Sequence, residues 1–134
     1  MQLILTTDYA IRTVLSLAEK NKIKTASMIS EEMVIPEKYL IKVLKKLRAA
    51  GIVESIPGAK GGYYLTRDLN EITLGDIFET MEQTMKCNRC LENDGYCSRN
   101  ATATCKIRKF YQKVQREMEE KVFSVSLTTI IDEF

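Results

Sequence analysis

The chain has 134 residues, 45% of them hydrophobic and 28% charged, with four cysteines, a net charge of +2 and no histidine. This length and mixture fit one folded module and exclude a disordered or fibrous chain. Without an imidazole, Ser-His-Asp and Cys-His catalysis and HExxH zinc chemistry are also excluded, so any metal must rest on cysteine and carboxylate.

The apolar runs are too short to cross a bilayer, and Met1 is not followed by a charged stretch and a secretory apolar core. The chain is therefore read as cytoplasmic with no membrane partner, where cysteines are expected as thiols or metal ligands and not as disulfides. Residues 1–66 hold ten Lys/Arg against six Asp/Glu, whereas residues 67–134 hold ten against twelve. The basic excess thus lies in the N-terminal half.

From Thr7, the residues Ala10, Ile11, Val14, Leu15 and Ala18 recur at helical spacing until Asn21-Lys22, which predicts a first amphipathic helix. Thr25 is a cap for a second, short helix reaching Met33, with Ala26, Ile29 and Met33 inward. After a bend at Val34-Ile35-Pro36, Pro36 suits the first turn of a third helix. In that helix Leu40, Val43, Leu44 and Leu47 face inward and Lys38, Lys42, Lys45 and Lys46 outward, and Gly51 ends it. Two β-prone runs, Ile52–Ile56 and Tyr63–Arg67, flank Pro-Gly-Ala-Lys-Gly-Gly and predict a hairpin with a basic tip. Thr73 and Asp76 form a capping box, with Ile72 and Ile77 as its hydrophobic staple, so a fourth helix is expected over Leu74–Met85. Residues 86–105 carry all four cysteines among polar residues and read as an irregular loop. A long helix then follows, with Ile107, Phe110, Tyr111, Val114, Met118 and Val122 in a narrow stripe, and Leu127, Ile130, Ile131 and Phe134 mark a terminal helix.

The fold class is therefore mainly α with a small β-hairpin: a winged helix-turn-helix over residues 1–70, then a cysteine loop and a long C-terminal dimerisation helix over residues 71–134. In such a module the third helix enters the major groove of double-stranded DNA and the wing touches the neighbouring backbone. Lys38 and Tyr39 at the start of that helix, Lys42 and Lys45 further along, Thr25 at the cap of the second helix, and Lys60, Gly61 and Gly62 on the wing are the candidate DNA-binding residues. Lysine offers a point charge to phosphate or to a guanine edge, and glycine N–H groups can approach phosphate closely. The plain alternative is a solvated lysine face, but the run coincides with the recognition position and with Lys60.

Cys87, Cys90, Cys97 and Cys105 are spaced C-x2-C-x6-C-x7-C, a four-thiolate set suited to an iron–sulfur cluster (2Fe-2S or 4Fe-4S) or, alternatively, to structural zinc. Zinc ribbons normally bring two C-x2-C knuckles, and only Cys87-Cys90 forms one, which favours iron–sulfur. The narrow stripe on the long helix reads as a homodimer seam, and a two-fold dimer matches a palindromic operator. With no histidine base and no paired carboxylates, no enzyme is expected.

Five stretches stand out: Leu-Thr-Thr-Asp-Tyr-Ala-Ile-Arg at 5–12, Pro-Glu-Lys-Tyr-Leu and Leu-Lys-Lys-Leu-Arg-Ala-Ala-Gly-Ile-Val within 36–53, Gly-Ala-Lys-Gly-Gly-Tyr-Tyr-Leu at 58–65, Ile-Thr-Leu-Gly-Asp-Ile at 72–77, and the cysteine loop. Together they resemble the iron–sulfur-sensing winged-helix regulators that include the iron–sulfur assembly regulator and the nitric-oxide-sensing repressor. The resemblance covers essentially the whole chain and implies a dimeric transcription regulator with one cluster per subunit, sensing redox state, iron supply or nitric oxide. It implies three cysteine ligands and a variable fourth. Cys97 and Cys105 match the last two family cysteines, with a longer gap between them, and either Cys87 or Cys90 is the first.

The histidine of one branch is absent, Ile107 and Arg108 standing in its place. The aspartate that the other subunit supplies in a second branch corresponds to Asp8, which also reads as an ordinary first-turn acidic residue. All-cysteine ligation is preferred over three cysteines plus Asp8, because thiolate is the softer donor and the loop supplies the count. On the wing, Ile56-Pro57 replaces the arginine the family often carries, leaving Lys60 as the cation. Gain or loss of a cluster is expected to reorder the loop and change the spacing of two recognition helices. Two other readings stand beside this one: the same fold with a zinc or thiol switch, and an electron carrier or thiol oxidoreductase using the same cysteines.

Overall fold

Four hydrophobic helix faces, one from each of the first four helices, meet in a single core that the computed structural model describes over residues 2–18 and 22–134. The first helix, α1 (Leu5–Ser16), buries Ala10 and Val14 together with Thr7 and Thr13, whose small polar side chains allow close packing. It begins two residues before the expected Thr7, capped by extended Ile4. It ends at Ser16, short of Ala18, the last residue of the expected periodic run; of the expected break at Asn21-Lys22, Asn21 lies outside the described residues. Helix α2 (Ala26–Met33) is capped as read: the Thr25 hydroxyl accepts from the Met28 N–H at 3.2 Å.

The bend after α2 places Val34 in the left-handed region, at φ 53°, where a β-branched residue is strained. Contacts of Ile35 with α2 hold this strain in place. Ile35 is buried, its N–H donates to the Ser30 carbonyl at 3.1 Å, and the Ser30 hydroxyl donates to the Ile35 carbonyl at 2.6 Å. Pro36 is the residue before the next helix and not its first turn, so α3 spans Glu37–Ala49. Its end is a Schellman arrangement, with the Gly51 N–H on Arg48 O at 2.9 Å, the Ile52 N–H on Leu47 O at 3.0 Å and Gly51 at φ +70°.

The hairpin pairs β1 (Val53–Ile56) with β2 (Gly62–Leu65) antiparallel, from Val53 opposite Leu65 to Ile56 opposite Gly62. A further bridge joins Tyr63 to Lys24, so the wing is fastened to the segment between α1 and α2. Helix α4 (Leu74–Met81) carries both bonds of the expected capping box, Asp76 N–H to Thr73 Oγ1 at 3.1 Å and Thr73 N–H to Asp76 Oδ2 at 2.9 Å, and the staple residues Ile72 and Ile77 are fully buried.

Helix α4 stops at Met81, four residues short of the expected Met85. The cause is Glu82, which turns extended and sends its carboxylate to the start of α1, accepting from the Ile4 N–H at 3.1 Å and the Thr7 hydroxyl at 2.6 Å. An open α1 N-terminus is satisfied at the expense of the last α4 turn. After the cysteine loop come α5 (Lys106–Met118), a π turn over Glu119–Phe123 and α6 (Leu127–Glu133). Gly75 lets the π turn approach α4, since a Cβ there would stand 2.8 Å from the Phe123 carbonyl oxygen, and Phe78 meets Phe123 edge-on at 5.6 Å.

Candidate nucleic-acid interface and cysteine loop

Burial of Leu40, Val43, Leu44 and Leu47 fixes the rotation of α3, and the same rotation turns Lys38, Tyr39, Lys42 and Lys45 to solvent. None of these lysines has an ion pair with a described residue, whereas Arg48 on the same helix is engaged with Glu54 at 2.8 Å. Tyr39 is held rather than free: its ring lies 6.4 Å from that of Tyr9, with the Lys38 ammonium 4.9 Å from the Tyr39 ring centre. Lys60 is exposed at the wing tip. Thr25 is also exposed, although its hydroxyl already serves as the α2 cap.

The wing glycines have a structural task that the sequence pattern did not reveal. The Gly61 N–H donates to the Gly58 carbonyl at 3.0 Å and so is not free for phosphate, which corrects that part of the expectation. A Cβ on Gly61 would lie 2.0 Å from the Ile56 carbonyl oxygen, and one on Gly62 would lie 2.6 Å from that of Lys24. These two positions let the wing close on itself and on the bridge strand.

Sequence reasoning also missed Lys24. It is buried, its ammonium lies 2.6 Å from Glu32 Oε2 and 3.2 Å from Ser16 Oγ, and the Ser16 hydroxyl donates to the same carboxylate at 2.7 Å. Its backbone meanwhile exchanges two bonds with Tyr63, at 3.1 and 2.8 Å. One residue thus ties the wing to α1 and α2. The Lys24 and Ser16 hydrogen bonds hold the Glu32 carboxyl below its ordinary value of 4.5. Because the folded value is the lower one, the stability from this pair is complete above about pH 4.5 and is lost as acid titrates Glu32 through its folded value. Glu32→Gln is therefore expected to flatten this part of the acid limb, checked by urea unfolding between about pH 6 and about pH 3. An acid limb identical to wild type would refute the role given to the pair.

The cysteine loop leaves α4 at Glu82 and rests on α5. The Cys87 N–H donates to Gln115 Oε1 at 2.8 Å and its thiol to the Tyr111 carbonyl at 3.7 Å, while the Cys90 carbonyl accepts from Arg108 Nε at 3.1 Å. Cys105 caps α5, its sulfur accepting from the Arg108 N–H at 3.4 Å. Backbone N–H groups of Ala101 and Arg99 aimed at Cys97 lower its thiol pKa from the ordinary 9.0. Between the cysteines, a two-point Arg89–Asp94 pair stiffens the loop and holds the Asp94 carboxyl down to about 2.

The donor chemistry suits a thiolate-bound centre. In this arrangement, however, no three Cys, Asp or Glu side chains among the described residues converge on one point. Asp8, the competing ligand, is paired with Arg12 at 2.5 Å. The sequence brings the four thiols into one loop, and the fold docks that loop on α5.

A recognition helix with an exposed basic face, a glycine-shaped wing and a cysteine loop on the following helix define a winged helix-turn-helix transcription regulator. The chain belongs to the Rrf2 family of iron-dependent transcriptional regulators, whose sequence model matches residues 5–133. Members of this family are regulators that bind DNA and not enzymes. Over 133 residues the chain is 29% identical to protein rrf2 of Nitratidesulfovibrio vulgaris strain Hildenborough, covering 98% of this chain and 87% of that one. Its fold is similar to that of CymR, the global cysteine regulator of B. subtilis, with a TM-score of 0.80 and 24% identity over 100% of this chain and 98% of that one. It is also similar to T. potens IscR, with a TM-score of 0.75 and 24% identity over 99% and 88% of the two chains. No helix among the described residues is long and apolar enough to cross a membrane.

Proposed function

We propose that the chain acts as a homodimer on a palindromic DNA operator, reading it with α3 and the wing, and that its cysteine loop holds an iron–sulfur cluster. In this reading residues 1–70 form the DNA-binding unit and residues 71–134 the sensing and dimerisation unit. Lys38, Lys42, Lys45 and Lys60 meet phosphates or base edges, Tyr39 and Thr25 flank them, and Gly61 and Gly62 shape the wing. The apolar ridge of α5 supports the dimer: Ile107 and Phe110 are 58% and 59% exposed, and Gln115 is the one buried residue of that helix. A ridge of this kind is what a second copy would cover.

Cys87, Cys90, Cys97 and Cys105 are the proposed ligands, with Asp8 of the partner subunit as the competitor for one position. Such a cluster, of 2Fe-2S or 4Fe-4S type, would supply sensitivity to oxidants, iron supply or nitric oxide. The protein's own part is to keep four thiols in a polar loop whose backbone is hydrogen-bonded to the ridge-bearing helix. That docking is the single observation that carries the sensing half of the reading, because a change in the loop then acts directly on α5.

An anaerobic preparation is expected to be coloured, with iron and acid-labile sulfide near stoichiometry, and Cys97→Ala or Cys105→Ala is expected to lose at least about nine-tenths of the iron, as for removal of a direct ligand. Absorption spectra with iron, sulfide and zinc counts check this. A colourless preparation with stoichiometric zinc, or with no metal, would refute the cluster. In the second reading, a zinc or thiol switch on the same fold, separated thiols favour the thiol form, because zinc needs converging ligands as much as a cluster does.

A further inference from the structure

Along α5 and into the first residue of the π turn, Arg108, Tyr111, Gln115 and Glu119 succeed one another at helical spacing, and all four hold the incoming cysteine segment. Arg108 binds the Cys90 carbonyl and Tyr111 offers its carbonyl to the Cys87 thiol. Gln115 accepts from the Cys87 N–H at 2.8 Å and donates to the Met85 carbonyl at 3.1 Å and to Glu119 Oε1 at 2.9 Å. Glu119 takes a second donor, the Lys86 ammonium, at 3.3 Å. Residues 85–87 are thus gripped at three successive positions, and the central gripping side chain is the one buried on this helix.

The chemistry of the clamp demands an amide. Position 115 must accept from one backbone N–H and donate to one backbone carbonyl at once, which a carboxylate or an ammonium cannot do. Half-buried backbone groups of the loop would otherwise lose these partners. The clamp also lies beside the ridge of Ile107, Phe110, Val114 and Met118 on the same helix, so a displaced loop cannot leave that ridge unaffected.

We infer that Gln115 is the positioning residue of the cysteine loop: its amide sets where Cys87 stands and couples the chemical state of that thiol to the apolar ridge of α5. The regulatory weight of this coupling rests on the loop being the sensor, but the clamp itself is read on reduced, metal-free protein without DNA.

Iodoacetamide is applied to that protein and modification of each cysteine is followed by peptide mass. In Gln115→Met, which keeps the length and apolar packing, Cys87 is expected to react about tenfold faster than in wild type, while Cys97 and Cys105 stay within about twofold. Gln115→Glu keeps an acceptor for the Cys87 N–H but loses the donations to Met85 and Glu119 and sets a second carboxylate against Glu119, so it is expected to leave Cys87 fast, as Gln115→Met does. A second measurement uses a chain carrying Cys90→Ser, Cys97→Ser and Cys105→Ser, so that only Cys87 is alkylated. Alkylation is expected to shift the self-association constant in sedimentation equilibrium about fivefold with Gln115 in place, and less than about twofold with Gln115→Met. An unchanged Cys87 rate in Gln115→Met, all four thiols accelerating together, or an equal association response with and without Gln115 would each overturn the inference. A colourless zinc-bound preparation refutes the cluster and leaves these outcomes as they are.

Discussion

Lys42→Ala together with Lys45→Ala is expected to weaken DNA binding by roughly tenfold to a hundredfold at physiological salt and to lower the salt slope by about 2. Each lysine that neutralises a phosphate releases counterions, so losing two such contacts removes about two from the slope of log affinity against log salt. The geometry supports a phosphate role because neither ammonium is paired with a described residue and the buried leucines behind them leave α3 no freedom to rotate. Both positions are exposed, so thermal stability should change by less than about 0.5 kcal/mol. Fluorescence anisotropy on a duplex selected from random sequence by the wild-type protein, titrated across a salt series, measures both quantities. An unchanged slope with unchanged affinity would make the lysines an ordinary solvated face.

Gly61→Ala is expected to cost about 2–4 kcal/mol in unfolding free energy or, if the hairpin yields first, to abolish wing-dependent DNA affinity. The added Cβ would sit 2.0 Å from the Ile56 carbonyl oxygen, and that neighbour is backbone of the turn's own strand, unable to swing aside as a side chain does. Gly58→Ala is the matched control. Its Cβ meets nothing within 4 Å, and only its φ of +104° opposes a side chain, so about 1–2 kcal/mol is expected there. Urea unfolding of the two variants side by side decides the matter: equal losses would mean that conformational preference, and not the close approach, governs the wing tip.

The sequence made some of these features plain and concealed others for a physical reason. The Thr25 cap, the Thr73–Asp76 box, the Gly51 stop and the buried face of α3 were legible because each depends on residues three or four positions apart. The end of α4 was not, since it is decided by a carboxylate that finds its partners on α1, 75 and 78 positions away. Lys24 and Gln115 escaped notice for the same reason: each is a polar residue buried by partners supplied by other elements, and nothing in its own neighbourhood announces that burial. For the candidate site, the exposed lysines of α3 stand where periodicity puts them, whereas the common loop of the four cysteines gave no information on whether their sulfurs meet.

The π turn at Glu119–Phe123 has a consequence for quaternary geometry. The turn is wider than an α turn, so the ridge carried by Ile107, Phe110, Val114 and Met118 leaves regular α geometry after Met118, and Val122, the next apolar residue of the stripe, stands on the wider turn. With a rise of about 1.5 Å per residue, the 13 residues of α5 give a seam roughly 20 Å long. In the proposed homodimer, two copies meeting along so short a seam would have too few repeats to supercoil, and a small change in their crossing angle would be magnified by leverage at the ends that face DNA.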